Sequence, residues 1–406
     1  MIKLITTRRL YIVIGFFVLL FVLLIFGNLL IAKANPGGLD FFSHWYATRI
    51  YIKDGVNPYS DISITRLAEA IESELNPADE EVYRFVAPLF SIVLYAPLSL
   101  VGDFTIARAI WMAILEISLV ISGLLIMNWF PWKKNLIIIT ILSLVALFAL
   151  PSVMAVKNGS LVVAGMLLFC VAATLILKKQ DEAAGSLLAF SLVQPPLFFI
   201  GVLVILIWSG FRKRSRIIWW FLGTFTLLVG FTLLLIPEWV ISYAQILTNY
   251  SSVNPMQPSV EINNLMTYRL MLKNVAILIL LFYEWIIIKE TGKRRIAWIF
   301  ALLILTLPWM TRNIPIENTI LYLPPVLIAV SLLGERWKEK ALNIVLLLPI
   351  VLFVMAWVFS GVLIPGISIV LSKIIIYVVQ PLIILLFIYW SRWWVLSSEK
   401  FHNPLN

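Results

Sequence analysis

Long unbroken apolar runs alternate with short polar turns along this chain. The runs cover 10–32, 106–130, 136–152, 159–177, 217–237, 270–289, 296–311, 319–334, 341–362 and 372–391. A helix needs about 20 consecutive apolar residues to cross a bilayer core, and most of these runs approach that length. The residue-by-residue alternation of a barrel strand is missing, so the runs predict helices. Two further stretches are irregular. Residues 85–101 are short and interrupted by Pro88 and Pro97, and residues 183–210 are split by Pro195-Pro196. The split predicts two short helices meeting at the proline pair, each arm only about 20 Å long at ~1.5 Å per residue. Two more short helices are predicted at 40–53 and 64–75. In the second, Ile64, Leu67, Ala68, Ile71 and Leu75 fall at helical spacing, which suits a helix lying on a membrane face.

Composition sharpens this to one class. Of 406 residues, 62% are hydrophobic and 13% charged, where a soluble domain carries about 25% charged residues. The mean hydropathy is +0.99. The expected fold is therefore all-α: a polytopic membrane protein, with residues 1–406 forming a single membrane domain. The net charge of +10 does not point to nucleic acid, because the basic residues gather between apolar runs. The clusters are Lys3/Arg8/Arg9, Lys133/Lys134, Lys178/Lys179, Arg212/Lys213/Arg214/Arg216, Lys293/Arg294/Arg295, Arg336/Lys338/Lys340 and Arg392. Placing all of them on the cytoplasmic side predicts about twelve membrane helices with both termini inside. Residues 85–101 then stay on the outer side as a juxtamembrane or re-entrant helix; the alternative, with 85–101 spanning, puts Lys133/Lys134 outside. The outer loops are 33–105, 152–158, 238–269, 312–318 and 363–371, the first and third being long. The N-terminal run lacks a clear small-residue cleavage site and is read as a retained helix. The lone Cys170 leaves no internal disulfide and no Cys-rich metal site. No internal repeat is visible.

Chemistry concentrates where the chain leaves its first apolar run. Asp40-Phe41-Phe42-Ser43-His44-Trp45-Tyr46 begins there, and Gly55-Val56-Asn57-Pro58-Tyr59 closes the segment. Asp40 and His44 are four residues apart and share one face of a short helix. A carboxylate at a water–membrane boundary can act as a general base toward a hydroxyl nucleophile. Aromatic faces suit sugar rings or a lipid chain. Aspartate is also a favoured helix cap, and the aromatics alone could form an interfacial belt.

The order of these pieces resembles the membrane glycosyltransferases of the GT-C superfamily, in particular the polyprenyl-phosphate-sugar-dependent branch that includes the family 87 mannosyltransferases. After the aspartate and Pro58-Tyr59 come Phe85-Val86-Ala87-Pro88-Leu89 and Ala96-Pro97-Leu98, then Trp111. Asn158-Gly159-Ser160 stands where the family often has Gly-Gln. Ala184-Gly185 and Gln194-Pro195-Pro196 stand where it often has Ala-Gly and Lys-x-x-Pro. Asn263-Asn264-Leu265 resembles an Asn-rich motif closing the second long loop, and Leu307-Pro308-Trp309 a Ser-Pro-x-Ser-Trp-like segment.

The resemblance implies transfer of a mannose-like hexose from a polyprenyl-phosphate sugar to a glycolipid or glycan acceptor hydroxyl. The reaction would run at the outer face of the plasma membrane, with Asp40 as base and usually with inversion. The leaving phosphate needs cations or donors, and the outer-face candidates are His44, Arg84, Lys157, Arg269 and Arg312, with Tyr59 and Gln194 on the donor side. At Gln194 the family's lysine is missing, so only neutral hydrogen bonds are available there. Trp45, Glu261, Asn263 and Asn264 are candidates for holding acceptor or loop. No cofactor is implied and no cluster has metal-ligand spacing, although a divalent ion shared by Asp40 and a phosphate stays open. The other readings are a transporter or flippase for a lipid-linked substrate, and a structural subunit of an envelope-building complex.

Overall fold

The computed structural model describes residues 7–75, 84–130, 136–249, 260–287, 292–311, 314–337, 342–361 and 366–397. Among the described residues every regular element is helical. The helices fall into two compact units. One comprises residues 1–117 with 156–160, and the other 118–155 with 161–406.

The first unit opens with α1 (Thr7–Ala34). Only 6% of its spanning window is buried, so α1 presents apolar side chains all round, as a helix surrounded by lipid does. It is held near its end, where Asn28 Nδ2 donates to Glu116 Oε2 at 2.8 Å. A turn at Gly37-Gly38 leads to α2 (Leu39–Asp54), which Gly55 closes with φ 68° and an N–H bond to the Tyr51 carbonyl. An Asx turn follows, with the Tyr59 N–H on Asn57 Oδ1 at 3.0 Å, and then α3 (Asp61–Leu75). The apolar stripe of α3 is amphipathic as its spacing predicts, with Leu67 and Ile71 buried. It packs against α2, so part of that stripe faces protein and not a membrane surface. A 3-10 turn (Leu89–Ser91) runs into α4 (Ile92–Ser99). Together they are an apolar piece of 11 residues, roughly 16 Å long, too short to cross a core of about 30 Å. Next comes α5 (Phe104–Met127), the second long apolar helix.

In the second unit, α6 (Leu136–Phe148) and α7 (Leu150–Asn158) form a pair bent by 55°. The bend precedes Pro151, which sits in the first turn of α7, where its missing N–H has no helical acceptor to lose. Residues 152–158, expected as an outer loop, are therefore helical. Then follow α8 (Leu161–Leu177), α9 (Asp181–Ser191) and α10 (Pro195–Phe211). The break between α9 and α10 falls at the proline pair, with Pro195 at the first helical position of α10. α11 (Ser215–Leu235) crosses α9 closely at Gly185, where an added Cβ would stand 2.3 Å from the Ile217 carbonyl oxygen.

α12 (Trp239–Asn249) and the first turns of α13 (Val260–Ile287) occupy much of 238–269, read from hydropathy as the second outer loop. Helical backbone bonding does not require apolar side chains, so the helix continues where hydropathy falls. α14 (Lys293–Thr306), α15 (Leu323–Trp337), α16 (Leu342–Phe359), α17 (Ile369–Ile374) and α18 (Gln380–Ser397) complete the unit. A π turn at Ile375–Val379 joins the last two. The core lies between α14, α15 and α18, where the Trp298 indole is fully enclosed and donates to the Ile388 carbonyl at 2.7 Å.

Among the described residues five helical stretches are long and apolar enough to cross a membrane: Ile14–Ala34, Phe104–Met127, Ser215–Leu235, Ile316–Arg336 and Ile369–Leu396. The α6–α7 pair makes a sixth if counted as one span. α8, α10 and part of α16 are apolar but shorter. The chain is an all-α protein with the helices of a membrane protein.

Candidate functional site

The site is built on the start of α2. Gly38 is the cap residue, in the left-handed region with φ 83° and no side-chain cap bond. Asp40 is therefore not the cap that its place in the sequence allows. It stands in the first turn, where the helix start favours a negative charge. His44 follows one turn later. Its Nδ1 lies 2.7 Å from the backbone carbonyl oxygen of Asp40 and 3.6 Å from Oδ1 of the same residue. A carbonyl can only accept, so Nδ1 carries a proton, and in the neutral ring Nε2 is the bare nitrogen. The Ser160 hydroxyl reaches the Asp40 carboxylate from the turn after α7.

Exposure separates the two partners. The Asp40 side chain is 43% open, while that of His44 is 6% open. Crowding by surrounding protein raises the Asp40 carboxyl above the ordinary carboxylate value, and the His44 imidazole and Ser160 hydroxyl pull it back. The open part of the side chain still sees water, which limits that rise. The result is a carboxylate at the surface of the unit, oriented by two neighbours and able to exchange a proton with whatever approaches it.

Behind Asp40 the aromatic run forms a wall. Phe41 stacks on Trp111 with centroids 5.7 Å apart, and the Phe42 ring meets Phe104 edge-on at 4.7 Å. His44 lies against Tyr95 at 5.1 Å and Phe85 at 5.2 Å. Trp45, expected on the acceptor side, is 2% exposed, and its Nε1–H donates to the Leu98 carbonyl at 2.9 Å. It is a post between α2 and α4. Tyr59 is likewise buried, its hydroxyl donating to the Ala87 carbonyl at 2.6 Å. His44 Nε2, Tyr95 Oη and Ser91 Oγ are buried without a hydrogen-bond partner among the described residues, a cost that a polar guest or water would relieve.

One residue that the sequence reading passed over holds the arrangement together. Arg108 of α5 is 1% exposed. Its Nη1 donates to the Asn35 carbonyl and its Nη2 to the Lys157 carbonyl, each at 2.9 Å. The guanidinium thus ties the exit of α1 to the end of α7, fixing the segments that carry Asp40 and Ser160. Two glycines make room. An added Cβ at Gly38 would lie 2.5 Å from Arg108 Nε. One at Gly159, where φ is +72°, would lie 2.4 Å from Phe41 Cβ. The Trp111 Nε1–H donates to the Gly159 carbonyl at 2.9 Å, closing the same turn. Asn158-Gly159-Ser160 and an arginine inside an apolar run were the visible signals of this staple.

The remaining candidates fall out as follows. In the first unit, Arg84 is half-buried just before Phe85, and Lys157, expected in a loop, is in the last turn of α7. In the second unit, Gln194 precedes α10 without a side-chain capping bond, and Arg269 is exposed on α13. Glu261, Asn263 and Asn264 lie in the opening turns of α13, but their side chains, and all of Arg312, lie outside the described residues. Among the described residues no three of His, Cys, Asp and Glu gather to hold a metal ion. No family model, curated protein or solved structure matches the chain.

Proposed function

We propose that this protein is a membrane glycosyltransferase that uses a polyprenyl-phosphate hexose as donor and a glycolipid or glycan hydroxyl as acceptor. The reading rests on Asp40: an open carboxylate in the first turn of a short helix that follows an apolar helix, oriented by His44 and Ser160. In the proposed reaction Asp40 takes the acceptor O–H proton as that oxygen attacks the anomeric carbon. The bond from the anomeric carbon to the phosphate oxygen breaks, polyprenyl phosphate leaves with the electron pair, and the sugar inverts. His44 holds the Asp40 backbone and sets the charge beside its carboxylate. Arg84 and Lys157 are the proposed cations for the departing phosphate in this unit.

The proposed topology has about twelve membrane helices, both termini cytoplasmic and Asp40 on the extracytoplasmic side of the plasma membrane. The short α4, which does not reach across a bilayer, supports it. The reading is tested with purified protein, a panel of radiolabelled polyprenyl-phosphate sugars and Asp40→Asn. Donor-dependent product that disappears in the variant is the expected result, and undiminished transfer by the variant rules Asp40 out. A transporter draws support from the 55° break between α6 and α7. It predicts movement of lipid-linked substrate without product.

A further inference from the structure

We infer that Glu116 of α5, with Asn28 of α1, is a proton-binding site inside the membrane: a carboxylic acid held by an amide and reached from the lipid. Both residues belong to the first unit. Glu116 stands 12 residues after Phe104 and 11 before Met127, about 18 Å and 16 Å along the axis at ~1.5 Å per residue. In a hydrocarbon core of about 30 Å that is close to the middle. Phosphates, ammonium groups and sugars stay at the headgroup level and do not reach this depth. A proton does, and a carboxyl within a spanning helix marks the kind of place where protons are taken up and given off.

The partner of Glu116 is neutral. Its Oε2 accepts from Asn28 Nδ2 at 2.8 Å, and among the described residues no ion pair includes it. The other charged residue of α5, Arg108, lies eight residues away and bonds the Asn35 and Lys157 carbonyls. On α1 the charge nearest to Asn28 in sequence is Lys33, exposed in the last turn. An ionised carboxylate with only an amide beside it is costly in hydrocarbon. The acid form carries no charge, and its O–H can go to the amide oxygen of the same Asn28 while the amide N–H bonds the acid carbonyl. Glu116 is half-buried and flanked by Ile114 and Ile117, both exposed, so a small apolar molecule dissolved in the bilayer can meet it. Asn28 is 2% exposed on a helix that is otherwise almost wholly open, so the same bond keeps α1 against α5.

The site is independent of the chemistry proposed for Asp40. It is tested with the full chain in phosphatidylcholine nanodiscs at neutral pH, using dicyclohexylcarbodiimide, which dissolves in the lipid. The acid proton passes to a carbodiimide nitrogen and a carboxyl oxygen adds to the central carbon. The acyl group then shifts from oxygen to nitrogen, and the chain keeps the whole reagent as an N-acylurea. Peptide mass spectrometry should find this adduct on Glu116, and a charged, water-soluble carbodiimide should leave the residue unmodified. Glu284, held by Arg392 and Tyr389, should stay unmodified by the lipid-soluble reagent. Glu116→Gln should abolish the adduct and remove one protonated-carboxyl band from the infrared spectrum. Asn28→Leu should keep that band and move it to higher frequency, because the acid loses its amide partner. Absence of either the adduct or the band, or equal modification of Glu284 or by the water-soluble reagent, would overturn the site. A band left in place by Asn28→Leu would overturn the pairing with the amide. The position of the adduct in the unaltered protein decides the matter even where a variant fails to fold.

Discussion

Asp40 in the first unit and Glu284 in the second are both carboxylates on helices of an apolar chain, and their surroundings are opposite. The Glu284 side chain is 4% open. One of its oxygens accepts from Arg392 Nε at 2.9 Å, and the other from the Tyr389 hydroxyl at 3.1 Å. Asp40 is ten times as open, and its neighbours are a histidine at 3.6 Å and a serine. A charge matched by a full countercharge inside protein is there to join helices. A charge left facing water, with partners that orient it without neutralising it, remains available to react. The same contrast applies to the two arginines. Arg392 answers a carboxylate, whereas Arg108 answers backbone carbonyls and so fixes the path of the chain.

Substitutions can break this contrast. The largest effect is expected at Asp40. Asp40→Asn should lower sugar transfer by about 10²–10⁴-fold, the usual contribution of a positioned base, while the melting temperature stays close to that of the unaltered protein. A matching fall in both would show Asp40 to be structural. Glu284→Gln should do the reverse. Leaving Arg392 without its carboxylate should cost about 3 kcal/mol in thermal unfolding, the low end for a broken buried pair because Arg392 keeps some exposure. The double variant Glu284→Gln/Arg392→Met should regain part of that loss.

Gly38→Ala should destabilise by roughly 1–3 kcal/mol, since it combines a positive φ with a contact on Arg108. Gly27→Ala in α1, where an added Cβ meets nothing within 4 Å, should be neutral or mildly stabilising. The smallest effect is a pH dependence. Because the folded protein raises the Asp40 carboxyl, it binds that proton more tightly than the unfolded chain does. The contribution to stability is present at low pH and is lost as pH rises through the raised value. Asp40→Asn should therefore remove a slight destabilisation at neutral pH, seen as a small rise in melting temperature that vanishes in acid. Transfer by the unaltered protein should climb across the same window as the base ionises.

Much of this frame is legible from residue type alone. Gly37-Gly38 and Gly55 bracket α2, so the expected helix at 40–53 and the observed Leu39–Asp54 nearly coincide. Pro195-Pro196 marks the break between α9 and α10 for an equally local reason. The site is harder to read. Phe41, Phe42, Trp45 and Tyr46 share one broad arc of α2, and their spacing does not show which neighbouring element that arc meets, so α4 as the partner of Trp45 is not legible. Arg108 sits in a run whose hydropathy predicts a plain spanning helix, and its carbonyl partners lie 73 and 49 residues away. The Arg392 partner of Glu284 is 108 residues downstream, in an element that nothing local connects to it. Contacts made between distant segments through backbone carbonyls leave no pattern of residue types to read.

The openness of Asp40 also bears on how a cycle would close. Each sugar transferred in the proposed reaction leaves one proton on the carboxylate, and the next acceptor can be activated only once that proton has gone. A base sealed inside the protein would need a relay of titratable groups to carry it out. Because the Asp40 side chain is open to solvent, bulk water can take that proton in the proposed reaction, and no proton wire has to be built into the helices behind it.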